Sequence, residues 1–164
     1  QRIEQAIDDL NSTIRDIRAY ILDLRPRQLM DEDLMEGLQR LVKEFHANTL
    51  VEVKLDGPPL GALKLSDSHA KALFHICQEA LANVAKHARA HHLNVALWAT
   101  PERVLLEVSD DGRGFDPTRV KMTLGHGLAN MQTRAHNVGG DVEFSSEPSQ
   151  GTTILAWVPA VHES

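Results

Sequence analysis

Two glycine-containing segments separate a strand-like run from a helix-like run in the second half of this chain, and they restrict the local fold strongly. The strand-like run 104–108 leads into Asp-Asp-Gly-Arg-Gly at 110–114, and Gly-His-Gly at 125–127 opens the helix-like run that follows. A strand end places a carboxylate at a fixed point, glycines admit a flat ring, and a helix N-terminus favours phosphate. The segment therefore holds the ingredients of a purine nucleotide site.

Length and composition indicate the class of protein. A chain of 164 residues with 42% hydrophobic residues can bury one ordinary core, and its formal charge of -6 argues against a nucleic acid partner. The single cysteine, Cys77, suits a reducing compartment, and no apolar run is long enough for a membrane span, so we expect a cytoplasmic location without membrane contact. Because Gln1 lies inside a periodic pattern, we expect a piece of a longer protein, whose membrane anchoring the sequence leaves open.

The first segment carries a heptad pattern. Its apolar residues alternate in spacings of four and three, at Ile3, Ile7, Leu10, Ile14, Ile17, Ile21 and Leu24. Such a seam predicts a helix that packs in a coiled coil or bundle, and Pro26 ends it. We therefore predict a bundle helix at 1–25, a linker at 26–32 and a compact domain at 33–164.

Hydrophobic periodicity predicts the order of elements in the compact domain. Helices are expected at 34–45, from Ser66 or Asp67 to 88, and at 128–138, and strands at 51–55, 93–99, 103–108, 141–145 and 152–158. The two middle strands are expected to form a hairpin. This order predicts an α/β two-layer sandwich, with one mixed, mainly antiparallel sheet and helices on one face.

The long helix carries a polar face. Glu79, Asn83, Lys86 and His87 stand at i, i+4, i+7 and i+8, which places them together on an α-helix. A carboxylate and an amide one turn apart offer oxygens to Mg²⁺, and a lysine can reach a terminal phosphate. Taken alone, the pattern is more typical of a helix face that meets solvent.

Three further segments carry polar chemistry. The Asp110 carboxylate, at a strand end, can accept the exocyclic amine of adenine, and Gly112 and Gly114 leave room for its ring. Gly-His-Gly at 125–127 offers backbone N–H groups to phosphate. Gly-Thr-Thr at 151–153 supplies a glycine for close approach and hydroxyls for a bridging water. None of these segments is specific by itself.

Together and in this order, the segments resemble the catalytic ATP-binding domain of sensor histidine kinases, which has the Bergerat fold shared with gyrase, Hsp90 and MutL. The resemblance lies in the N box at 79–88, the G1 box at 110–115, the G2 box at 125–128 and the G3 segment at 151–153. Leu-Asp-Leu-Arg-Pro at 22–26 and the helix after it resemble the subgroup whose partners are response regulators of the NarL/LuxR type. The resemblance covers essentially the whole chain.

The resemblance implies roles for individual residues. Asn83, assisted by Glu79, would bind Mg²⁺ and act in catalysis, and Asp110 would recognise the adenine of ATP. The nucleotide-binding residues implied are Asn83, Lys86, His87, Asp110, Gly112, Gly114, Phe115, Gly125, His126, Gly127, Leu128, Thr152 and Thr153. A short lid at 116–124 is implied, whose Arg119 and Lys121 would contact phosphate when the lid is closed; a solvated basic loop is an equal alternative. Asp111 stands where the family commonly has Asn, and its added charge would tune affinity or metal demand.

The chemistry implied is phosphoryl transfer from Mg·ATP to a histidine, and then to a response regulator. The resemblance makes 1–25 the second helix of the dimerisation and phosphotransfer bundle, so the full protein would be a homodimer. Residues 1–45 contain no histidine. We therefore predict that the acceptor histidine lies upstream and that this chain binds ATP without phosphorylating itself.

Two other classes share such a fold. An anti-sigma-factor serine kinase is one, although the heptad helix with its Leu-Arg-Pro end argues against it, because that class lacks the phosphotransfer bundle. A non-catalytic nucleotide-binding module is the other. Slow ATP hydrolysis is also open, since Glu79 stands where a general base for water would act.

Overall fold

The computed structural model describes residues 2–24, 29, 32–114 and 126–160. The helices within these ranges are α1 (Arg2–Leu24), α2 (Leu34–Thr49), α3 (Asp67–Asn83) and α4 (His126–His136), and a π-helical turn, Val84–Ala88, continues α3. The strands are β1 (Glu52–Asp56), β2 (His92–Ala99), β3 (Arg103–Asp110), β4 (Asp141–Ser146) and β5 (Thr152–Pro159). The order of elements agrees with the sequence prediction, and most of the predicted linker at 26–32 lies outside the described residues.

Side-chain caps fix where two helices begin. The Asp33 carboxylate accepts a hydrogen bond from the backbone N–H of Met35 at 3.0 Å, at the start of α2. The Ser66 hydroxyl accepts one from the backbone N–H of His69 at 3.3 Å, so Ser66 is the cap of α3. Each cap satisfies one of the backbone donors that a helix start leaves without an intrahelical partner.

Five strands form one mixed sheet in the order β1-β2-β3-β5-β4. The outer pair β1 and β2 is parallel, and the other three pairs are antiparallel. The predicted hairpin is β2 and β3, in which Val95 pairs with Val108. The prediction of a mixed, mainly antiparallel sheet is confirmed.

The helices α2, α3 and α4 cover one face of the sheet and enclose the core. Alternate residues of β3 and β5 are buried, as expected for strands that face helices on one side only. The largest side chains of the core that are almost completely buried are Phe45, Phe74, Leu38, Leu41, Leu73, Ile76, Leu93, Leu106 and Met131. In this two-layer architecture α3 packs over β3 and β5, the strands that carry part of the candidate site.

The opposite face of the sheet carries no helix among the described residues, and it holds both tryptophans of the chain. Trp98 and Trp157 flank Leu105 in one row across β2, β3 and β5. The Arg103 guanidinium lies 3.9 Å from the centre of the Trp157 ring, a cation–π contact. This row marks the face that points away from the candidate site.

Helix α1 lies against α2 and the π-helical turn, but much of its heptad seam is exposed. The first five seam residues are between 40% and 75% exposed: Ile3, Ile7, Leu10, Ile14 and Ile17. A regular apolar seam that is left in solvent is typical of a helix with a missing helical partner. Within the described ranges, none of the helices combines the length and the apolar character that a membrane span requires.

Candidate functional site

Four polar side chains are buried among the described residues: Asn83, Asp110, Thr152 and Ser146. Three of them form a row across adjacent strands at one end of the sheet. Asp110 of β3 pairs with Thr152 of β5, which pairs with Ser146 of β4. Since the core residues of these strands alternate with exposed ones, the row points to the helix side, where α3 lies over β3 and β5. Burying polar groups together in this way costs free energy unless they form hydrogen bonds with each other or with a ligand.

Asp110 has the features of a carboxylate held ready for a ligand. Its side chain accepts a hydrogen bond from the backbone N–H of Gly112 at 2.8 Å. Burial raises the pKa of Asp110; the Gly112 and Thr152 backbone hydrogen bonds oppose this, and the nearby charge of Asp111 adds to it. A largely desolvated carboxylate gains more than an exposed one from a donor on a ligand, such as an exocyclic amine.

The Asp111 side chain does not join the buried row and forms hydrogen bonds with another segment of the protein. Its Oδ1 atom accepts hydrogen bonds from the backbone N–H groups of His91 and His92, both at 2.9 Å, and its Oδ2 atom lies 2.8 Å from Nδ1 of His92. Slight burial acts to raise the pKa of Asp111, but these hydrogen bonds outweigh it and hold the pKa below its ordinary value. Asp111 therefore ties the start of β2 to the end of β3.

Two glycines allow the G1 segment to pack closely on the β4–β5 turn. Gly114 has φ +66° and Gly151 has φ +81°, a region that favours glycine. A Cβ on Gly151 would overlap the carbonyl of Asp110, and one on Gly114 would overlap the carbonyl of Glu147. The predicted close approach at Gly151 is thus present. Gly114 was predicted to leave room for the adenine ring, but in this structure it leaves room for protein backbone.

The first turn of α4 packs on the polar face of α3. A Cβ on Gly127 would overlap the Glu79 carboxylate and would lie 3.3 Å from Oδ1 of Asn83. Glu79 and Asn83 therefore border the same space at the start of α4, as their spacing on the helix predicts. The N-terminus of α4 adds backbone N–H groups and a positive dipole end to this space.

The expectation of one continuous α-helical face is wrong beyond Asn83. From Val84 to Ala88 the backbone forms a π-helical turn, in which hydrogen bonds join residues five apart. The wider turn changes the direction of each following side chain, so Lys86 does not continue the i, i+4, i+7 alignment. Lys86 is half-buried, and the side chain of His87 lies outside the described residues.

Mg²⁺ is implied by the resemblance, and the side chains at α3 fit it. Mg²⁺ takes few protein oxygens and completes its shell with phosphate and water. Glu79 and Asn83 offer a carboxylate and an amide oxygen side by side. Buried Nδ2 of Asn83 has no hydrogen-bond partner among the described residues, and such a donor costs about 1–3 kcal/mol unless a ligand oxygen meets it. The described ranges hold no cluster of three or more His, Cys, Asp or Glu side chains for another kind of metal site.

The structure brings only part of the predicted set together. Asp110, Gly112 and Thr152 lie together at one end of the sheet. Asn83 and Gly127 border one space between α3 and α4.

Other predicted residues lie elsewhere or outside the description. Leu128 is half-buried and packs against the core. Thr153 points to the opposite face, where its hydroxyl lies 3.1 Å from that of Ser109. Phe115, Gly125, the lid at 116–124 and the side chain of His126 lie outside the described residues.

Sequence reasoning missed Ser146. Its hydroxyl lies 3.0 Å from that of Thr152 and donates to the carbonyl of Gly151 at 3.2 Å. The predicted strand ended at Ser145, one residue short of β4. Extending the alternation from Val142 and Phe144 by one step would have placed Ser146 on the inner face.

Comparisons with known proteins show which family the chain is similar to. A family model described as histidine kinase-, DNA gyrase B-, and HSP90-like ATPase matches residues 68–162. The sensor histidine kinases MctS of Rhizobium johnstonii and LiaS of Bacillus subtilis are each 36% identical, over 159 and 148 residues. The alignments cover 96% and 90% of this chain, and 34% and 40% of these relatives.

Solved structures share the fold. The mycobacterial sensor histidine kinase MprB matches with a TM-score of 0.62 at 19% identity, over 78% of this chain and 96% of that chain. The Acinetobacter baumannii histidine kinase AdeS matches with a TM-score of 0.65 at 12% identity, over 98% of this chain and 81% of that chain. Since the family match covers more than half of the sequence, the chain belongs to the histidine kinase-, DNA gyrase B-, and HSP90-like ATPases.

Proposed function

We propose that this chain is the ATP-binding catalytic part of a two-component sensor histidine kinase. It binds Mg·ATP and presents the terminal phosphate to a histidine that lies upstream of residue 1. The observation that carries the proposal is the burial of two polar side chains, Asp110 at the end of β3 and Asn83 beside Gly127 at the start of α4. The curated relatives MctS and LiaS, both sensor histidine kinases, favour this over a serine kinase or a non-catalytic module.

Adenine recognition falls to Asp110 in this proposal. Its carboxylate accepts a hydrogen bond from the exocyclic amine, while the backbone N–H of Gly112 donates to Oδ1 and holds that oxygen in place. The site is built into the sheet, because Asp110 is the last residue of β3 and is paired with Thr152. A rigid support of this kind keeps the purine in one orientation.

Phosphate binding falls to the space between α3 and α4. Asn83 and Glu79 would hold Mg²⁺, which neutralises charge on the phosphates during transfer. The backbone N–H groups at the start of α4 add donors on the protein side. With both ends of the nucleotide held, the chain mainly contributes positioning of the terminal phosphate for in-line attack.

The acceptor histidine and the partners belong to the remainder of the protein. The chain spans about a third to two fifths of the length of the relatives MctS and LiaS. The exposed seam of α1 supports the assignment of 1–25 as a bundle helix that pairs in a homodimer, with 33–164 as the catalytic domain. The segment 22–26 supports a response regulator of the NarL/LuxR type as the next phosphate acceptor. We expect no phosphohistidine on this chain alone, because 1–45 lacks histidine.

Calorimetric titration with ATP, with and without Mg²⁺, tests the metal assignment. The wild type is expected to bind ATP more tightly with Mg²⁺, and Asn83→Ala is expected to lose that difference while it keeps metal-free binding. Asn94→Ala is the matched control, since Asn94 is exposed on β2. Equal Mg²⁺ dependence in Asn83→Ala and in the wild type would overturn the assignment.

Incubation with ATP labelled at the terminal phosphate tests the expected absence of self-phosphorylation. Acid-labile label on the wild-type chain would contradict it. The same experiment follows hydrolysis, a second candidate activity that the position of Glu79 beside Asn83 favours. Phosphate release that disappears in Glu79→Ala would assign Glu79 as the base for water.

A further inference from the structure

The outer face of the sheet, opposite the helices, carries an apolar row. Cross-strand pairing joins Trp98 of β2 to Leu105 of β3, and Leu105 to Trp157 of β5. The Trp98 side chain is 37% exposed, and the Arg103 guanidinium lies over the Trp157 ring. Tryptophan and arginine are the residues that most often dominate the binding energy of protein interfaces. A row of this composition in solvent is therefore typical of a docking surface.

An acidic row runs beside the apolar row, two residues away along the same strands. Its carboxylates belong to Asp56 of β1, Glu107 of β3 and Glu143 of β4, and Ala96 and Leu155 lie between them. Two residues of a strand span about 7 Å, which a long side chain of a partner can bridge. The outer face thus presents an apolar stripe with negative charge along one side.

The charge of this face argues against several occupants. Among the outward-facing strand residues, the carboxylates belong to Glu52, Asp56, Glu107, Asp141 and Glu143, and the lysine and arginine cations to Lys54 and Arg103. A second copy of the chain would bring like charges together, and an anionic lipid surface would be repelled. Helix α1 carries five acidic residues against three arginines, so its seam does not fit either. The face is complementary to a basic partner.

An amphipathic α-helix laid across the strands matches the spacing of both rows. One helical turn advances about 5.4 Å, and neighbouring strands lie about 4.8 Å apart. Successive turns would therefore meet Trp98, Leu105 and Trp157 in order. Lysine or arginine side chains along one flank of the helix would reach the acidic row. Arg103 lies on the other side of the apolar row, where it would repel cations and so determine which flank is basic.

We propose that the outer face of the sheet is a docking surface for a basic amphipathic helix of a protein partner. The apolar row supplies the hydrophobic contact, and the acidic row supplies the charge contact. The surface is separate from the proposed ATP site, because Asp110 and Thr152 belong to the inner, buried face of the same strands.

The test uses a synthetic peptide of about 18 residues, long enough to form a helix, made of alanine, leucine and lysine. Its leucines form one stripe and its lysines lie along one flank. Both tryptophans of the chain lie in the apolar row and the peptide has none, so tryptophan fluorescence reports on this face. We expect a saturable blue shift. A peptide with glutamate in place of lysine, and a scrambled peptide of the original composition, should bind about tenfold more weakly or worse.

Two variants of the chain locate the peptide on the outer face. Glu107→Gln removes one charge from the acidic row and keeps the size of the side chain, so binding of the lysine peptide should weaken about two- to fivefold. Glu36→Gln is the matched control, since Glu36 is exposed on α2, and it should keep the wild-type affinity. Trp98→Ala should weaken binding about tenfold or more, with Trp157 as the remaining reporter.

Three results would overturn the proposal. One is equally tight binding of the scrambled or the glutamate peptide, which would show that the pattern of the two rows is not recognised. Another is an affinity that both Glu107→Gln and Trp98→Ala leave unchanged, which would place the peptide elsewhere on the chain. The third is self-association of the wild type in sedimentation that Trp98→Ala abolishes, which would assign the face to a second copy of the chain.

Discussion

The close contact between Gly151 and Asp110 gives a prediction whose size follows from the geometry. In Gly151→Ala the new residue must adopt φ near +81°, which costs an L-amino acid about 1–2 kcal/mol. Its Cβ would also overlap the Asp110 carbonyl and would lie 3.3 Å from Cα of Asp111. Because these atoms belong to backbone, relief requires movement of paired strands, at a cost of about 1–3 kcal/mol. We expect the free energy of unfolding to fall by about 2–5 kcal/mol.

Gly61→Ala isolates the first of these two costs. Gly61 has φ +78°, but a Cβ there would meet no atom within 4 Å. We expect the free energy of unfolding of Gly61→Ala to fall only by the conformational cost of about 1–2 kcal/mol. Urea unfolding followed by far-ultraviolet circular dichroism measures both variants, with an unchanged m-value as the check that only stability differs. If Gly151→Ala is no more destabilised than Gly61→Ala, the reasoning about backbone overlap is wrong.

Three further predictions address other parts of the site and core. Because hydrogen bonds hold the pKa of Asp111 below 3.8, its stabilisation is present at neutral pH and is lost as the pH falls through its lowered pKa. In Asp111→Asn the free energy of unfolding should therefore fall by about 1 kcal/mol at pH 7, allowing for solvent screening, and by less below pH 3.8. An equal fall at every pH in urea titrations would contradict this. Burial raises the pKa of Cys77 to about 12, so a thiol reagent at pH 8 should react only as fast as the chain unfolds, and rapid native labelling would disagree. Gly127→Ala should displace the Glu79 carboxylate and weaken Mg²⁺-dependent ATP binding about tenfold. The loss of stability should be small, because the overlap falls on the flexible end of a side chain. Unchanged affinity for ATP in calorimetry would contradict the placement of Glu79 and Asn83 in one space at the start of α4.

The strands and most helix positions follow from local periodicity. Alternation of buried and exposed residues in β3 and β5 is visible in the sequence, and Ser66 precedes α3 as a cap should. The order of these elements led to the mixed sheet with helices on one face. Local signals suffice here because each element faces the core on one side only.

The features that the sequence did not predict depend on contacts between distant segments. The π-helical turn after Asn83 has no signature in residue spacing, which continues an α-helical pattern through Lys86. The destination of the Asp111 carboxylate depends on the register of β2 against β3, which brings His92 beside it. The predicted strand was one residue shorter than β4, so the sequence prediction did not place Ser146 on the inner face of the sheet.

Titration of the chain with Mg·ATP in a calorimeter, for the wild type and Asp110→Asn, tests the central claim most directly. Asp111→Asn is the adjacent control, because the Asp111 carboxylate accepts its hydrogen bonds from the start of β2. We predict saturable binding to the wild type, a loss of about 1.4 kcal/mol or more in Asp110→Asn, which is tenfold in Kd, and near wild-type affinity in Asp111→Asn. Binding that Asp110→Asn leaves unchanged, or no binding to the wild type, would contradict the assignment of this pocket to the adenine of ATP.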